Sequence, residues 1–504
     1  MNLVDLLNER ARKYADKTFL FFEESTTSYG QLNRSTSSVA AGLGNMGVAH
    51  GDRVALLLPN CPQFVQSFLG IMRLGAVAVP LNTHLKHDEI RNIVQHCGAR
   101  TLIVHHTRVE RVRSLLEREL IDNLVVVGSL DVAGGRAFSE LTSCTPCKDS
   151  TDVGDDDLAA ILYATASSRH QRGVMLSHAN YTVNAAQTAV GVQMREQDRL
   201  LCMLPLYNVN AQVVTLLAPL YAGASVLLVP KFRAHDFLPA LSKHKVTAFS
   251  AVPTVYAILN KLRDTRRYDL RSLRYCISGA APLPVDVLHG FESRFGATII
   301  EGYGLSEATC TASVNPLDST RKIGSVGLPV PDQQMRIVDR QGDPIPPGRI
   351  GEIQIKGPNV MLGYYNDPQA TAETIVEGWM HTGDVGYCDR DGFFFIVGRA
   401  RELIIRGGQN IFPREVVEAL ENDERVIETA VIGAPDEIYG EQVVAFVVLK
   451  PDCRADEQSI IERCLGPLAG YKCPTRVLFV EKLPRDSHGK LNKQSLMERF
   501  LNSI

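Results

Sequence analysis

Short apolar runs rich in β-branched residues recur along this chain, and helical patterns separate them. Continuous apolar runs of this kind are typical of strands that are buried on both faces of a sheet. Their alternation with helices predicts an α/β architecture with largely parallel sheets. The runs are Val54–Leu58, Leu102–Val104, Leu124–Val127, Ala159–Tyr163, Val226–Val229, Thr247–Val252, Tyr275–Ser278 and Thr298–Ile300.

The pattern changes twice toward the C-terminus. A chain of 504 residues is too long for one ordinary core, so we expect several domains. Gly and Pro are frequent in Gly324–Glu352, and Gln334–Val338 and Glu352–Ile355 alternate in polarity, which predicts a small β-barrel. After Arg399 the pattern predicts a compact α+β domain. Its predicted elements are a strand at Glu402–Ile405, a helix at Arg414–Asn422, and strands at Val426–Gly433 and Glu441–Leu449.

Composition excludes several classes of protein. The hydrophobic content of 45% and charged content of 22% are typical of a soluble globular protein. A net charge of −3 disfavours general nucleic-acid binding. The 11 cysteines show no framework spacing, which predicts a reducing, cytoplasmic location. The charge-free stretch Leu201–Pro230 is interrupted by Pro and Asn residues, so we predict a loop, a buried helix and a strand there, and no membrane span.

Hydroxyl and basic side chains cluster in the segment Tyr163–Tyr181. Thr165, Ser167 and Ser168 follow a predicted strand, Arg172 closes the loop, and a helical pattern comes after it. A strand, a loop with hydroxyls and a helix form a cradle for phosphate in many proteins. Taken alone, the segment is equally consistent with a generic polar loop.

Three further segments carry candidate binding residues. Small residues in Ser278–Pro282 leave a flat slot for a ring. In the segment Glu301–Glu307, Tyr303 can stack on a base, Ser306 can bond phosphate, and Glu307 can hold Mg²⁺, which prefers oxygen ligands. The carboxylate of Asp384 follows a tight turn and can accept hydrogen bonds from two adjacent hydroxyls.

Together these segments closely resemble the adenylate-forming enzymes, which comprise acyl-CoA synthetases, luciferases and the adenylation domains of peptide synthetases. The resemblance runs from Ser28–Asn33 to Lys490 and is nearest to fatty-acyl-CoA ligases. It implies that Lys490 and Glu307 are catalytic and that Glu307 binds Mg²⁺. It implies a nucleotide site made of Thr165, Ser167, Ser168, Arg172, Gly279, Ala280, Ala281, Glu301, Gly302, Tyr303, Gly304, Ser306, Asp384 and Arg399.

The resemblance also implies how the domains work. Residues 1–398 form the N-terminal adenylation domain, with two parallel-type α/β subdomains and the small barrel. Residues 399–402 form a hinge at Arg401, and residues 403–504 form a mobile C-terminal domain that carries Lys490. In the second half-reaction this domain turns and presents a hairpin at Gly407 and Gly408 to the CoA side.

Two places depart from the pattern of the family. In the phosphate loop, Ala166 and Arg169 replace glycines, and Arg172 replaces a lysine. In the acyl pocket, Asn208 stands where histidine is usual, and an amide can bond a polar group but cannot titrate. The other segments of the pocket are small and apolar, which suits an acyl or aryl chain. The pocket residues implied by the resemblance are Tyr207, Asn208, Val252, Gly279, Gly302 and Gly327.

The resulting expectation is an AMP-forming acyl-CoA synthetase. It would use ATP and Mg²⁺ to convert a fatty or aryl acid to an acyl-adenylate, and it would then transfer the acyl group to CoA. Two alternatives stay open: the adenylate is passed to an amine, a carrier protein or another nucleophile, or the atypical loop leaves a binding protein with impaired turnover. The sequence does not specify the acid, and a homodimer is among the expected oligomeric states.

Overall fold

The computed structural model describes residues 1–130, 132–146, 152–163, 172–263, 265–318, 320–407, 409–451, 453–485 and 491–503. Within these ranges the side chains of Arg266, Arg401 and Asn410 are left aside. In the described residues, no helix is both long enough and apolar enough to cross a membrane.

All of the predicted apolar runs form strands, most of them in parallel pairs. In chain order the strands are β1 Thr18–Phe22, β2 Ser25–Ser28, β3 Arg53–Leu57, β4 Val77–Pro80, β5 Thr101–His105, β6 Asn123–Val127, β7 Gly135–Ala137, β8 Leu158–Tyr163, β9 Gly173–Ser177, β10 Arg199–Cys202, β11 Ser225–Leu228, β12 Ala248–Ala251, β13 Tyr275–Ser278, β14 Thr298–Tyr303, β15 Ser313–Val314, β16 Leu328–Pro329, β17 Gln334–Val338, β18 Gly351–Lys356, β19 Gly363–Tyr364, β20 Ile375–Val376, β21 Trp379–Cys388, β22 Phe394–Arg399, β23 Ile404–Arg406, β24 Gln409–Ile411, β25 Val426–Asp436, β26 Gly440–Leu449 and β27 Arg476–Phe479.

Helices separate the strands, as the α/β pattern predicts. They are α1 Leu3–Lys13, α2 Tyr29–Asn45, α3 Pro62–Arg73, α4 His87–Cys97, α5 Arg113–Glu117, α6 Phe138–Thr142, α7 His178–Gly191, α8 Val209–Gln212, α9 Ala218–Ala222, α10 Ala234–His244, α11 Pro253–Asn260, α12 Val285–Phe295, α13 Pro368–Thr374, α14 Pro413–Glu421, α15 Glu457–Cys464 and α16 Lys493–Leu501. A π-helical turn, Val213–Leu217, joins α8 to α9. The charge-free stretch therefore folds as the predicted loop, helix and strand.

The chain divides into two compact units. The first contains residues 1–335 and 355–380, and the second contains residues 336–354 and 381–504. The predicted hinge at 399–402 concerns motion between half-reactions, and it stays a prediction.

The first unit contains two large sheets. One has nine strands in the order β16-β15-β14-β13-β12-β10-β11-β1-β2, and the other has eight in the order β19-β9-β8-β4-β3-β5-β6-β7. Neighbouring residues of one strand face different cores: Leu200 packs in a core that also holds Leu56 of the second sheet, whereas Leu201 packs in a core with Phe237 of α10. Burial on both faces explains why the sequence shows continuous apolar runs.

The predicted order of strand, loop and helix in Tyr163–Tyr181 is wrong in one respect. The strand β9 comes between the loop and the helix, and it pairs antiparallel with β8. Val174 and Leu176 are buried in the core, which is why Gly173–Ser177 extends instead of starting a helix. The helix α7 begins only at His178, so its N-terminus does not directly follow the predicted phosphate loop.

Two smaller sheets complete the fold; their pairs are mostly antiparallel, but β26 and β27 run parallel. The first has the order β17-β18-β21-β20, with β22 paired to β21, and most of it belongs to the second unit. The C-terminal sheet has the order β24-β23-β26-β25, with β27 paired to β26, and α14, α15 and α16 pack on it. The predicted strand at Glu402–Ile405 starts late, because Ala400–Glu402 forms a 3₁₀ turn before β23.

Candidate active site

In the first unit, most of the predicted site residues lie at one edge of the nine-stranded sheet. The strands β10, β12, β13 and β14 are parallel neighbours. Because the carboxyl ends of parallel strands share an edge, the segments that follow them meet there. Asn208 follows β10, Val252 follows β12, Gly279 follows β13, and Gly302 is the second-last residue of β14.

The two predicted nucleotide segments are adjacent at this edge. Ser278 of β13 is in register with Glu301 of β14, so Gly279–Ala281 lie beside Gly302–Gly304. Ala280 has φ +67°, a left-handed backbone that costs an alanine about 1–2 kcal/mol. Such strain persists only where the surrounding structure enforces it, and it is often found at binding sites.

Gly304 sits where no side chain fits. A Cβ added at this position would lie 1.4 Å from the carbonyl oxygen of Cys310. The segment after Gly304 therefore folds back tightly on itself, and it brings Ser306 and Glu307 into a short 3₁₀ turn.

A strained turn follows Glu307, and hydrogen bonds to a segment later in the chain hold it. Thr309 has φ +63° and ψ −47°, and the amide of Cys310 donates to the carbonyl of Ala308, which makes a γ-turn of the rare positive-φ type. The hydroxyl of Thr309 donates to the carbonyl of Asn359 at 2.6 Å. The amide of Met361 donates to the carbonyl of Glu307 at 2.8 Å. The segment 359–364 thus holds the turn in place.

Tyr364 also reaches this turn, and Arg172 lies against the ring of Tyr364. The hydroxyl of Tyr364 donates to Oε1 of Glu307 at 3.0 Å, and burial raises the pKa of Tyr364 to about 12, with the neighbouring carboxylate adding to the shift. The guanidinium of Arg172 lies 5.2 Å from the centre of the Tyr364 ring, and its Nε lies 3.6 Å from Asp367. Sequence reasoning missed Tyr364, because no pattern links it to a residue so far away in the chain.

The carboxylate of Glu307 fits the expected Mg²⁺. In the described residues, no group of three or more acidic, His or Cys side chains could hold a metal ion. Mg²⁺ in nucleotide sites usually takes one or two protein carboxylates and fills its other positions with phosphate oxygens and water. A single glutamate at the turn is consistent with that donor set.

The predicted acyl pocket is more polar than the sequence suggested. Asn208 occupies the N-cap position of α8, but its side chain makes no capping bond and stays exposed. The buried Ser250 donates from Oγ to Oδ1 of Asn210 at 3.1 Å. A π-helical turn follows Asn210, and such turns are frequent at functional sites. Sequence reasoning missed Asn210, although it stands two residues after Asn208.

The structure also describes two other residues of the predicted pocket, Tyr207 and Gly327. Burial raises the pKa of Tyr207, so its phenol stays protonated at neutral pH. Gly327 has φ +89°, and a Cβ there would lie 2.0 Å from the carbonyl carbon of Val314. Only glycine allows β15 and β16 to approach this closely.

In the second unit, Asp384 and Arg399 form an ion pair. They stand opposite each other in the β21–β22 ladder, and Nε of Arg399 lies 3.0 Å from Oδ1 of the buried Asp384. The sequence predicted Asp384 at the ribose and Arg399 at the ribose or a phosphate, and the fold brings the two side chains together.

The turn before Asp384 is fixed by bonds from β18. The amide of Gly383 donates to Oε1 of Glu352 at 3.1 Å, and His381 bonds the other oxygen of this carboxylate at 2.9 Å. The hydroxyl of Thr382 accepts from the amide of Asp384 at 3.0 Å. The position of Asp384 therefore depends on Glu352 as well as on its own turn.

The remaining predicted residues are only partly described. Arg401 lies in the 3₁₀ turn Ala400–Glu402. Gly407, at the tip of the β23–β24 hairpin, has φ +55° and donates to the carbonyl of Tyr439 at 2.8 Å. Gly408, Lys490 and the loop residues Thr165, Ser167 and Ser168 lie outside the described residues.

This arrangement is that of the adenylate-forming enzymes. Segments with small residues and with a carboxylate lie at one edge of a largely parallel sheet, and a small α+β region follows later in the chain. Residues 7–365 match the family model of the AMP-binding enzymes, and residues 415–490 match that of the AMP-binding enzyme C-terminal domain. The chain belongs to the AMP-binding enzyme family.

Curated relatives are similar over nearly the whole chain. A sulfoacetate–CoA ligase from Cupriavidus necator is 35% identical, and the alignment covers 98% of this chain and 97% of the relative. A feruloyl-CoA synthase from an Amycolatopsis species is also 35% identical, with 97% of each chain covered. The prediction of an AMP-forming acid–thiol ligase is confirmed.

Solved structures give the same result. An anthranilate CoA ligase in complex with anthranoyl-AMP has a TM-score of 0.90 and 30% identity, covering 100% of this chain and 98% of that chain. The O-succinylbenzoate coenzyme A synthetase of Bacillus subtilis, in complex with ATP and a magnesium ion, has a TM-score of 0.85 and 28% identity, covering 97% of this chain and 98% of that chain. The predicted fold class is confirmed.

Proposed function

We propose that this enzyme joins CoA to a small carboxylic acid whose chain carries a hydrogen-bonding group. The observation that carries the proposal is the bond from buried Ser250 to Asn210. A polar pair in an acyl pocket costs free energy unless it has partners, so it disfavours a purely aliphatic chain. Among the described residues the side-chain nitrogen of Asn210 makes no hydrogen bond, so a ligand group that accepts from this nitrogen would recover that cost.

The relatives are consistent with such an acid. The names of two relatives specify sulfoacetate and feruloyl groups, and both groups carry polar atoms beyond the reacting carboxyl. An apolar pocket distinguishes one methylene only weakly, whereas a buried hydrogen-bonding group rejects analogues that lack the partner far more strongly. We therefore expect selection by Asn210 to act on a polar group of the acid.

For the activation step we assign a role to each of the predicted site residues. In our proposal the ring of the base lies against Gly279–Ala281 and Tyr303, and Asp384 accepts hydrogen bonds from the ribose hydroxyls. Lys490 supplies a mobile positive charge where charge develops between the acid and the α-phosphate. Mg²⁺, when bound beside Glu307, would draw charge from the phosphates. The C-terminal domain then turns at Arg401 and brings the Gly407–Gly408 hairpin to the CoA thiol.

The test uses matched pairs of acids. Purified enzyme with ATP and Mg²⁺ is offered acids that differ only in one hydroxyl, amide or anionic group, and pyrophosphate exchange is measured. We expect kcat/KM to be about tenfold or more higher for the polar member of the best pair, which corresponds to about 1.4 kcal/mol. Asn210→Leu should remove that preference, whereas Asn45→Leu, at the end of the distant helix α2, should retain it.

The same enzyme separates the remaining alternatives. Replacing CoA with amines or a carrier-protein thiol, after the adenylate has formed, identifies the acceptor. The CoA acceptor fails if another nucleophile reacts faster at equal concentration. If every acid supports exchange and neither member of any pair is preferred, the proposed preference for polar acids fails, but adenylate formation stands. The homodimer and the cytoplasmic location stay predictions.

A further inference from the structure

The hydroxyl of Tyr364 lies against the carboxylate to which the proposed function assigns Mg²⁺. It donates to Oε1 of Glu307 at 3.0 Å, and only 7% of Tyr364 is exposed. In the described part of the chain, no other side chain donates a hydrogen bond to this carboxylate. One oxygen of the carboxylate is thus bonded to a buried side chain of the protein.

The Tyr364 ring is held on several sides. Tyr364 pairs with Val174 of β9, and its amide donates to the hydroxyl of Thr371 in α13 at 2.8 Å. The guanidinium of Arg172 lies over one face of the ring, and this guanidinium forms an ion pair with Asp367. The strand and the helix fix the backbone of Tyr364 and the cation lies over its buried ring, so the hydroxyl has little freedom to move.

Glu307 is equally constrained on the main-chain side. Its carbonyl accepts from Met361, and the side chain of Asn359 donates to the carbonyl of Ala308 at 3.1 Å. The strained γ-turn at Thr309 persists because these bonds enforce it. Donor and acceptor therefore come from two rigid segments, and their separation is set by the fold.

We propose that Tyr364 is a positioning residue that orders the Glu307 carboxylate for Mg²⁺, an inference that rests on the proposed function. A free glutamate loses considerable rotamer freedom when it binds a metal. Mg²⁺ demands near-ideal octahedral geometry, so a carboxylate that is already oriented loses less conformational entropy when it binds the ion. Partners that bond a metal ligand commonly have this effect on affinity.

The test compares two adjacent tyrosines. Tyr364→Phe keeps the ring and its contact with Arg172 but removes the hydroxyl. Tyr365→Phe is the matched control, because it also removes one phenol hydroxyl, which donates to the carbonyl of Cys97 at 3.4 Å. ATP affinity is measured by calorimetry with Mg²⁺ and again with EDTA, and the Mg²⁺ dependence of pyrophosphate exchange is measured alongside.

For Tyr364→Phe we expect ATP affinity to fall about tenfold with Mg²⁺ and to stay unchanged with EDTA. The half-saturating Mg²⁺ concentration should rise, while KM for the acid stays the same. Tyr365→Phe should match the parent in all three measurements. Since Tyr364 acts through Glu307, adding Tyr364→Phe to Glu307→Gln should cause no further loss.

Two results would overturn the inference. One is an equal loss of ATP affinity with and without Mg²⁺, which would indicate a purely structural role. The other is a Tyr364→Phe enzyme with unchanged Mg²⁺ dependence. If the parent enzyme exchanges no pyrophosphate with any acid, the proposed function fails, but the two ATP affinities still decide the role of Tyr364.

Discussion

At the scale of single residues, two of the predicted site carboxylates each have a fixed partner. Asp384 is buried and bonded to Arg399, and Glu307 is bonded to Tyr364. A buried carboxylate with a fixed partner is ordered, so binding costs less free energy than it would with a free side chain. The same pairing means that Arg399 must share Asp384 with the ribose in our proposal.

Asp384→Asn should raise KM for ATP by about tenfold or more, because the amide has one acceptor oxygen and no charge with which to hold two hydroxyls and Arg399. Steady-state exchange at saturating acid measures this change. Asp343→Asn, in an exposed turn, is the control and should leave KM unchanged. An Asp384→Asn enzyme with the parent KM would refute the ribose role.

The next scale is that of elements, where a tight turn carries Glu307, the carboxylate that we propose for Mg²⁺. Gly304→Ala would place a Cβ within bonding distance of Cys310, so the turn would have to shift. We expect pyrophosphate exchange to fall about a hundredfold or more and the melting temperature to drop. Gly44→Ala in α2 meets Leu74 at an ordinary 3.7 Å and should leave exchange unchanged. If Gly304→Ala exchanged pyrophosphate as fast as the parent, the claim that a Cβ at this position displaces the turn would be wrong.

Sequence patterns predicted the strands well, and they predicted long-range contacts poorly. Apolar runs such as Tyr275–Ser278 are strands because burial on both faces leaves a signature that any core of this kind needs. Asn210 and Tyr364 were missed, because their roles arise from contacts with residues 40 and 57 positions away. The strand β9 was missed because a run of five residues directly before a helix carries a weak signal.

At the scale of the whole molecule, one buried histidine couples stability to pH. His178 at the start of α7 is fully buried, and neither ring nitrogen has a hydrogen-bond partner among the described residues. Burial lowers the pKa of His178 to about 4, against a small opposing effect from Asp157. The pKa of His178 in the unfolded chain is about 6.5. Below that pH the imidazole is protonated in the unfolded chain but stays neutral in the folded chain.

Stability should therefore fall as pH drops from about 6.5 toward 4, by up to roughly 3 kcal/mol from His178 alone. His178→Gln should flatten this part of the profile. Urea midpoints measured across the window test the expectation. His289→Gln, at an exposed position in α12, is the control and should keep the parent slope. Parallel profiles for parent and His178→Gln would contradict it.

Our proposal that the C-terminal domain serves the two half-reactions in two positions also belongs to the scale of the whole molecule. Lys490→Ala should lose adenylate formation by about a hundredfold or more, because its charge is needed only in the first half-reaction. Transfer to CoA from a chemically prepared acyl-adenylate should stay within about threefold of the parent. Equal loss in both half-reactions would contradict a domain that carries Lys490 away between them.

The most direct test of the central claim is pyrophosphate exchange into ATP without CoA. We predict exchange that requires both Mg²⁺ and a carboxylic acid, is faster for the polar member of a matched pair, and continues when CoA is absent. Exchange that needs CoA, or none with any acid although ATP binds, would contradict an enzyme that makes an acyl-adenylate first.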